Sequence, residues 1–242
     1  MLLENVRWYL LAAIVFAAPA LADEESEEEK GPWSGKASMG YLATSGNTEN
    51  SNLNAAFEIA YEADQWKHSF NALAINASEN EETTSEAYEW AAKSERSFSE
   101  HDYLFGQLHW RKDRFSSYES QFSQTAGYGR RLLNSDRHKL DAEIGAGARQ
   151  SELIDGTSQD EFILRGAMKY KFAISDNAEF RQSVAVEAGD ENTYLESITA
   201  VSASLIGNLA LVASYTVKHN TDVLPGLEKT DTYSALSLEY LF

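Results

Sequence analysis

Five histidines are the residues in this sequence that most often act as general bases or metal ligands. They are His68, His101, His109, His138 and His219. No two of them have the His-x-His or His-x-x-x-His spacing that brings two imidazoles to one metal ion. His68 and Ser69 are adjacent, so on a strand their side chains would point to opposite faces. Because the chain also has no Cys and no Gly-x-Ser-x-Gly segment, we predict neither catalysis nor a cofactor.

Carboxylates outnumber cationic side chains and gather between the apolar stretches. The chain carries 38 Asp and Glu against 20 Lys and Arg, a formal net charge of −18. Such a field repels phosphates and argues against nucleic acid as a partner. Segments rich in carboxylates attract hard divalent cations, and the candidate residues are Asp155, Asp160, Asp190 and Glu191. Because no segment has the EF-hand pattern, we predict divalent cations as weak partners and no built metal site.

The elements that carry these side chains follow from an alternation of apolar and polar residues. Leu140, Ala142 and Ile144, for example, alternate with Asp141 and Glu143. A period of two is that of a β-strand with different surroundings on its two faces. The pattern predicts strands near 33–44, 52–62, 66–77, 86–98, 103–112, 121–133, 139–150, 161–173, 178–189, 196–206, 209–219 and 230–242.

The connections between these stretches alternate between short and longer ones. This is typical of outer-membrane barrels, and an even strand number puts both termini on the short-turn, periplasmic side. Backbone groups left unpaired in hydrocarbon cost several kcal/mol each, so strands in a membrane must close without an edge. We predict an all-β fold, a transmembrane antiparallel up-and-down β-barrel of about twelve strands over residues 33–242. A soluble periplasmic β-sandwich is the alternative.

Aromatic residues near the strand ends favour the membrane barrel over the sandwich. Trp33, Trp66 and Tyr103 lie toward the short turns, and Trp90 and Tyr194 lie toward the longer loops. Two such girdles suit the two membrane interfaces, where aromatic rings are enriched. The partners that this arrangement predicts are outer-membrane lipid and lipopolysaccharide.

Both ends of the chain carry features of an exported protein. Residues 1–22 contain an apolar run that closes with Ala20-Leu21-Ala22, as in a cleaved secretory signal peptide, with a membrane-anchoring helix as the alternative. Residues 23–32 are predicted to be an acidic disordered spacer. The last strand ends in Phe242 and looks like the recognition signal of the outer-membrane assembly machinery. We therefore predict export through a cleaved signal peptide to the bacterial outer membrane.

The polar face of the predicted strands carries charges of both signs. Either these charges pair with one another and fill a narrow interior, or they line a water-filled pore. A barrel of this size permits both, because it lies between small packed barrels and large open porins. No connection is long enough to be an obvious inward-folded plug. The predicted interior charges are Glu58, Lys93, Glu95, Arg131, Asp141, Glu143, Arg149, Arg165, Lys169, Lys171, Arg181 and Glu187.

Two kinds of outer-membrane enzyme are alternatives to a barrel without catalysis. Outer-membrane phospholipases carry a His and a Ser two residues apart on one strand, and no His-x-Ser occurs in this sequence. Outer-membrane proteases use acidic residues with a His at the extracellular rim, and only His219 with Asp222 offers such a combination. Two residues do not make that site, so we predict no hydrolase.

Several short motifs, in order and spacing, resemble one family. They include Trp33-Ser34-Gly35, Gly46-Asn47-Thr48-Glu49, Trp66-Lys67-His68, Gly127-Tyr128-Gly129 and Lys229-Thr230-Asp231-Thr232. The sequence is similar along essentially all of 33–242 to the salt-induced outer membrane proteins of Gram-negative bacteria, the domain-of-unknown-function 481 family. The resemblance implies an outer-membrane barrel with a structural or salt- or alkali-stress-related role and no established catalytic residues. A small-solute or ion channel with a charged lumen is the alternative.

Overall fold

The computed structural model of the protein describes residues 31–44, 50–79, 82–114 and 116–242. The predicted signal peptide, and the predicted spacer up to residue 30, lie outside these residues. No helix in the described part is long and apolar enough to cross a membrane. The described strands are β1 (Trp33–Thr44), β2 (Asn50–Ala63), β3 (Trp66–Glu79), β4 (Glu82–Ser97), β5 (Asp102–Asp113), β6 (Tyr118–Asn134), β7 (His138–Leu153), β8 (Ser158–Ser175), β9 (Ala178–Gly189), β10 (Thr193–Ile206), β11 (Leu209–Asn220) and β12 (Thr230–Leu241).

These strands form one closed sheet. Each strand pairs antiparallel with its neighbours in the sequence, and β1 also pairs with β12. Because side chains alternate along every strand, closure directs one face of the sheet outward and the other into a lumen. The predicted fold, an antiparallel up-and-down barrel of twelve strands, is confirmed.

Several strands extend beyond their predicted ends on the long-loop side. β4 begins at Glu82 rather than at residue 86, β6 begins at Tyr118 rather than at residue 121, and β7 ends at Leu153 rather than at residue 150. Apolar alternation marks only the part of a strand that contacts lipid. The backbone ladder continues past that part, because neighbouring strands still satisfy each other's N–H and C=O groups.

The outward face of the barrel is apolar. Large apolar side chains there are more than half exposed, among them Met39, Ile144, Phe162, Leu164 and Leu236. A soluble monomer rarely exposes so continuous an apolar surface. Hydrocarbon solvates such an apolar belt around a closed sheet well, so the outward face is the lipid-facing side of the barrel.

The seam between β1 and β12 is short and closely packed. Lys36–Met39 lie in register with Leu238–Leu241, and the N–H of Gly35 donates to the carbonyl of Phe242 at 2.8 Å. At Gly40 an added Cβ would lie 2.5 Å from the carbonyl oxygen of Leu236. Glycine is therefore required there for the strands to approach and close the barrel.

The aromatic girdles are only partly as predicted. Trp33 and Trp66 at the short-turn end are outward and exposed, as expected for an interfacial girdle. The assignment of Tyr103 and Tyr194 to the girdles is wrong, since they are 2% and 4% exposed and lie in the interior. Both occupy interior-facing positions of the alternation, and the hydroxyl of Tyr103 donates to Glu143 at 2.8 Å.

Candidate functional site: the charged interior

The interior of the barrel brings together charged side chains from almost every strand. The structure places the predicted interior charges at interior-facing positions, because each alternates with an outward residue on its strand. Their burial differs strongly along the barrel axis. Toward the long-loop end the side chains are tightly packed, with Arg149 fully buried, whereas toward the short-turn end the side chain of Glu58 is 48% exposed.

Four ion-paired residues, which we call the outer cluster, fill the long-loop half: Arg111, Arg149, Glu161 and Glu187. Arg149 donates from Nη2 to Oε1 of Glu161 at 2.6 Å, and its Nη1 lies 3.6 Å from Oε2 of Glu187. Arg111 donates to the same Glu187 at 3.4 Å. These residues come from β5, β7, β8 and β9, so the cluster links four strands of one wall of the barrel.

A second group, which we call the middle cluster, consists of Lys93, Glu143 and Arg165. Arg165 donates to Oε2 of Glu143 at 2.9 Å, and Lys93 donates to Oε1 of the same carboxylate. The hydroxyl of Tyr103 is a third donor to Glu143 at 2.8 Å. All three members of the cluster are less than one-tenth exposed. Glu143 thus pairs with two cations from different strands, and Lys93 has a second carboxylate partner, Glu95 at 2.8 Å.

Two further ion pairs span the lumen. Lys218 on β11 donates to Glu89 on β4 at 2.6 Å, and His109 contacts the other oxygen of Glu89 at 2.7 Å. Arg181 on β9 donates to Glu239 on β12 at 3.2 Å. β4 and β11 lie on nearly opposite walls of the barrel. The Lys218–Glu89 pair therefore ties nearly opposite walls together across the interior, whereas the Arg181–Glu239 pair links strands that are three apart.

The loop between β11 and β12 lies across the long-loop mouth. The N–H of Leu224 donates to Oγ of Ser117 at 2.7 Å, and the N–H of Asp222 donates to Oδ1 of Asn192 at 3.1 Å. Ser117 and Asn192 are each only 1% exposed. The sequence predicts no obvious inward-folded plug, and these contacts of the β11–β12 loop lie at the mouth. The loop nevertheless covers the outer cluster from above.

The four candidate cation-attracting residues do not converge. Asp155 lies in the β7–β8 loop, Asp160 is an exposed residue of β8, and Asp190 and Glu191 are exposed in the β9–β10 loop. The carboxylate of Asp155 accepts from the N–H of Thr157 at 2.9 Å, and this hydrogen bond holds its pKa below the usual value. Within the described ranges, no group of three or more His, Cys, Asp or Glu could hold a metal ion.

One His–Ser contact occurs on the outer wall, and the sequence did not indicate it. Nδ1 of His68 on β3 lies 2.8 Å from Oγ of Ser94 on β4, and the ring of His68 stacks on Trp66. No carboxylate contacts this imidazole in the part of the chain that the structure describes. His219, the candidate for a protease-like site, pairs with Thr230.

Sequence reasoning missed several interior partners. Lys36, Glu89, Arg111, Lys218 and Glu239 were not among the predicted interior charges, although each is ion-paired inside the barrel. The alternation of side chains, applied strictly to every strand, is the signal that assigns these residues to the interior. It was obscured in β5, because its interior face also carries aromatic residues.

Comparison with known proteins places this charged barrel in a family. A family profile described as "Protein of unknown function, DUF481" matches residues 37–242. The chain belongs to the DUF481 family. Another protein of similar sequence is "Uncharacterized protein YdiY" of Escherichia coli K12, which is 33% identical over 240 residues, covering 96% of this chain and 95% of that protein.

Two solved structures resemble the DUF481 barrel in fold. An outer membrane channel from Pseudomonas putida F1 matches with a TM-score of 0.51 at 8% identity, over 88% of this chain and 96% of that chain. The translocator domain of the autotransporter NalP from Neisseria meningitidis matches with a TM-score of 0.50 at 11% identity, over 89% of this chain and 90% of that chain. At these identities the likeness shows the fold alone, that of an outer-membrane β-barrel.

Proposed function

We propose that this DUF481 protein is a closed barrel of the Gram-negative outer membrane with a structural or salt- or alkali-stress-related role and no catalysis. The observation that carries the proposal is the outer cluster, in which Arg149 is 0% exposed between Glu161 and Glu187. We infer from this packing that the described side chains close the long-loop half to a continuous water path. The loop held by Ser117 and Asn192 covers the same end.

The interior chemistry also suits a role under salt stress. Exposed ion pairs weaken as salt rises, whereas buried pairs are screened much less. The ion pairs of the outer and middle clusters are less than one-tenth exposed. We therefore expect the closed barrel to persist at ionic strengths that abolish surface pairing.

Planar-bilayer conductance tests the closed interior. We expect the purified protein to show no stable single-channel steps across voltages and salts. The double variant Arg111→Ser/Glu187→Ser should show steps, because it removes one ion pair from the outer cluster. Both partners are replaced together, so neither remains as an unpaired buried charge. Glu161 still neutralises Arg149 in this variant.

The matched control for conductance is Lys112→Ser/Glu119→Ser, an exposed pair at 3.2 Å. This control should remain silent. Stable single-channel steps from the unaltered protein would refute a closed interior and support the alternative, a small-solute or ion channel. The open short-turn half of the lumen is the observation that favours this alternative.

Export and assembly complete the proposed role. We propose that residues 1–22 are removed on export and that the last strand is the segment recognised during outer-membrane assembly. The ring of Phe242 stacks outward on Phe57 and Tyr240 and is 53% exposed. An exposed aromatic group at the closing edge remains accessible to a partner until the barrel seals.

Deletion of Phe242 should reduce the folded fraction in the outer membrane several-fold, because it removes both the aromatic group and the carbonyl that accepts from Gly35. Folded barrel is measured as the gel band that shifts on boiling. Phe98→Ala is the control, since Phe98 is similarly outward and 60% exposed but lies at the end of β4, away from the seam. Equal assembly of the deletion and the control would contradict the assignment.

A further inference from the structure

A row of like charges crosses three neighbouring strands in the short-turn half of the lumen. Lys139 on β7 is in register with Lys171 on β8, and Lys171 is in register with Arg181 on β9. All three occupy interior-facing positions, and Lys169 lies on the same face two residues from Lys171. Like charges directly opposite one another on neighbouring strands are destabilising. The row therefore costs stability unless something of opposite charge lies against it.

The protein itself neutralises only one end of this row. Arg181 is paired with Glu239 at 3.2 Å and with Glu179 at 3.7 Å. Among the described residues, no carboxylate lies within 4.0 Å of the amino groups of Lys139, Lys169 or Lys171. Other interior lysines differ, since Lys36, Lys93 and Lys218 each have at least one such partner. Three neighbouring cations thus lie on one interior face without an ion-paired carboxylate, in contrast to the cations of the outer and middle clusters.

Carboxylates near the row are engaged or held at a distance. Asp141 is in register with Lys169 but forms no ion pair with it. Glu58, on the wall opposite β8, is paired with Lys36 at 3.3 Å. Neither acid forms an ion pair with Lys139, Lys169 or Lys171.

Among the described residues, the row lies open toward the short-turn end of the barrel. Lys139, Lys169 and Lys171 are exposed to the lumen, whereas the outer cluster closes the long-loop half. β1 begins and β12 ends at the short-turn end, which is the periplasmic side of a barrel of this kind. Charges on low-dielectric walls focus their field and raise the local concentration of counter-ions. An anion would therefore reach the row from the periplasm.

We propose that Lys139, Lys169 and Lys171, next to Arg181, form a binding site for a multivalent phosphate-bearing anion that enters from the periplasm. Residues two apart on a strand are separated by about 6.5–7 Å, so Lys169 and Lys171 can hold two separate anionic groups. Lysine binds phosphate as a flexible point charge, without the fixed fork of arginine. The site thus selects by charge rather than by shape. The inference goes beyond the proposed function and does not depend on whether the barrel conducts.

Calorimetric titration of the full chain in detergent with inorganic tripolyphosphate tests the site. We expect saturable binding that weakens as salt rises, and a loss of about tenfold or more in affinity for Lys169→Gln/Lys171→Gln. The control is Lys67→Gln, an interior-facing lysine near the same end that is paired with Glu62 at 3.5 Å. The affinity of this variant for tripolyphosphate should stay within about twofold of that of the unaltered protein. The boiling-dependent gel shift verifies that each variant is folded before titration.

A second measurement keeps the test independent of the variant's stability. Tripolyphosphate should raise the unfolding temperature of the unaltered protein, because a ligand that binds only the folded state stabilises it. It should not do so for Lys169→Gln/Lys171→Gln, while Lys169→Arg/Lys171→Arg should retain the effect. Absence of saturable binding, or equal binding by the glutamine variant, would overturn the proposal. Neither the presence nor the absence of single-channel conductance would support or contradict the anion site.

Discussion

Replacing Glu143 with alanine should destabilise the folded barrel by about 3–5 kcal/mol, the cost of breaking a buried ion pair by removing one partner. Glu143 is the carboxylate of the middle cluster, and its loss leaves buried Arg165 without its carboxylate partner and Lys93 with Glu95 alone. It also removes the acceptor of the Tyr103 hydroxyl. Urea unfolding of protein refolded into lipid vesicles, followed by tryptophan fluorescence, measures the change in free energy of unfolding.

The matched control for this change is Glu119→Ala. Glu119 pairs with Lys112 at 3.2 Å, but the two side chains are 45% and 43% exposed. Water solvates the partner that remains, so the expected cost is less than about 1 kcal/mol. A similar cost for both variants would mean that the middle cluster is hydrated, and would count against a packed interior.

The second large effect is expected on the opposite face of the same strand. Ile144→Lys places a charge on the outward face near the middle of the membrane-crossing part of β7, where Ile144 is 68% exposed. A lysine at the bilayer midplane of a barrel costs about 2–4 kcal/mol, because hydrocarbon cannot solvate the ammonium group. The same urea titration measures the cost, and the boiling-dependent gel shift should show less folded protein.

Ile154→Lys is the same substitution outside the membrane-crossing part. Ile154 lies in the β7–β8 loop and is 47% exposed, so its replacement should change stability by less than about 0.5 kcal/mol. If both lysine variants were equally stable, the outward face of β7 would not contact hydrocarbon. The membrane-embedded barrel would then be refuted, whatever the interior does.

The fold could be predicted because the alternation of apolar and polar residues within each strand indicates which side chains lie on each of its two faces. Leu140, Ala142 and Ile144 mark the lipid side of β7 without reference to any other strand. The errors arise where this local signal is ambiguous. Tyr103 and Tyr194 are large and amphipathic, so the sequence alone does not distinguish an interfacial ring from one that packs among interior charges.

The candidate site could be predicted only in part. Alternation assigns Glu143, Arg165 and Lys171 to the lumen, but it does not tell which of them pair. The structure shows Glu143 holding two cations, and it shows Lys171 in register with Arg181 and Lys139. The distinction between paired and leftover cations, on which the proposed anion site rests, came entirely from register and closure.

Local alternation therefore determined the strand number, the outward apolar belt and the polar character of the lumen, because side-chain direction in a strand depends only on its immediate neighbours along the chain. Only the closed structure decided which charges neutralise each other. Lys218 meets Glu89, 129 positions away in the sequence, because closure places β11 and β4 on facing walls. Distances across a barrel follow from strand tilt, stagger and curvature, which are properties of the whole sheet rather than of any segment.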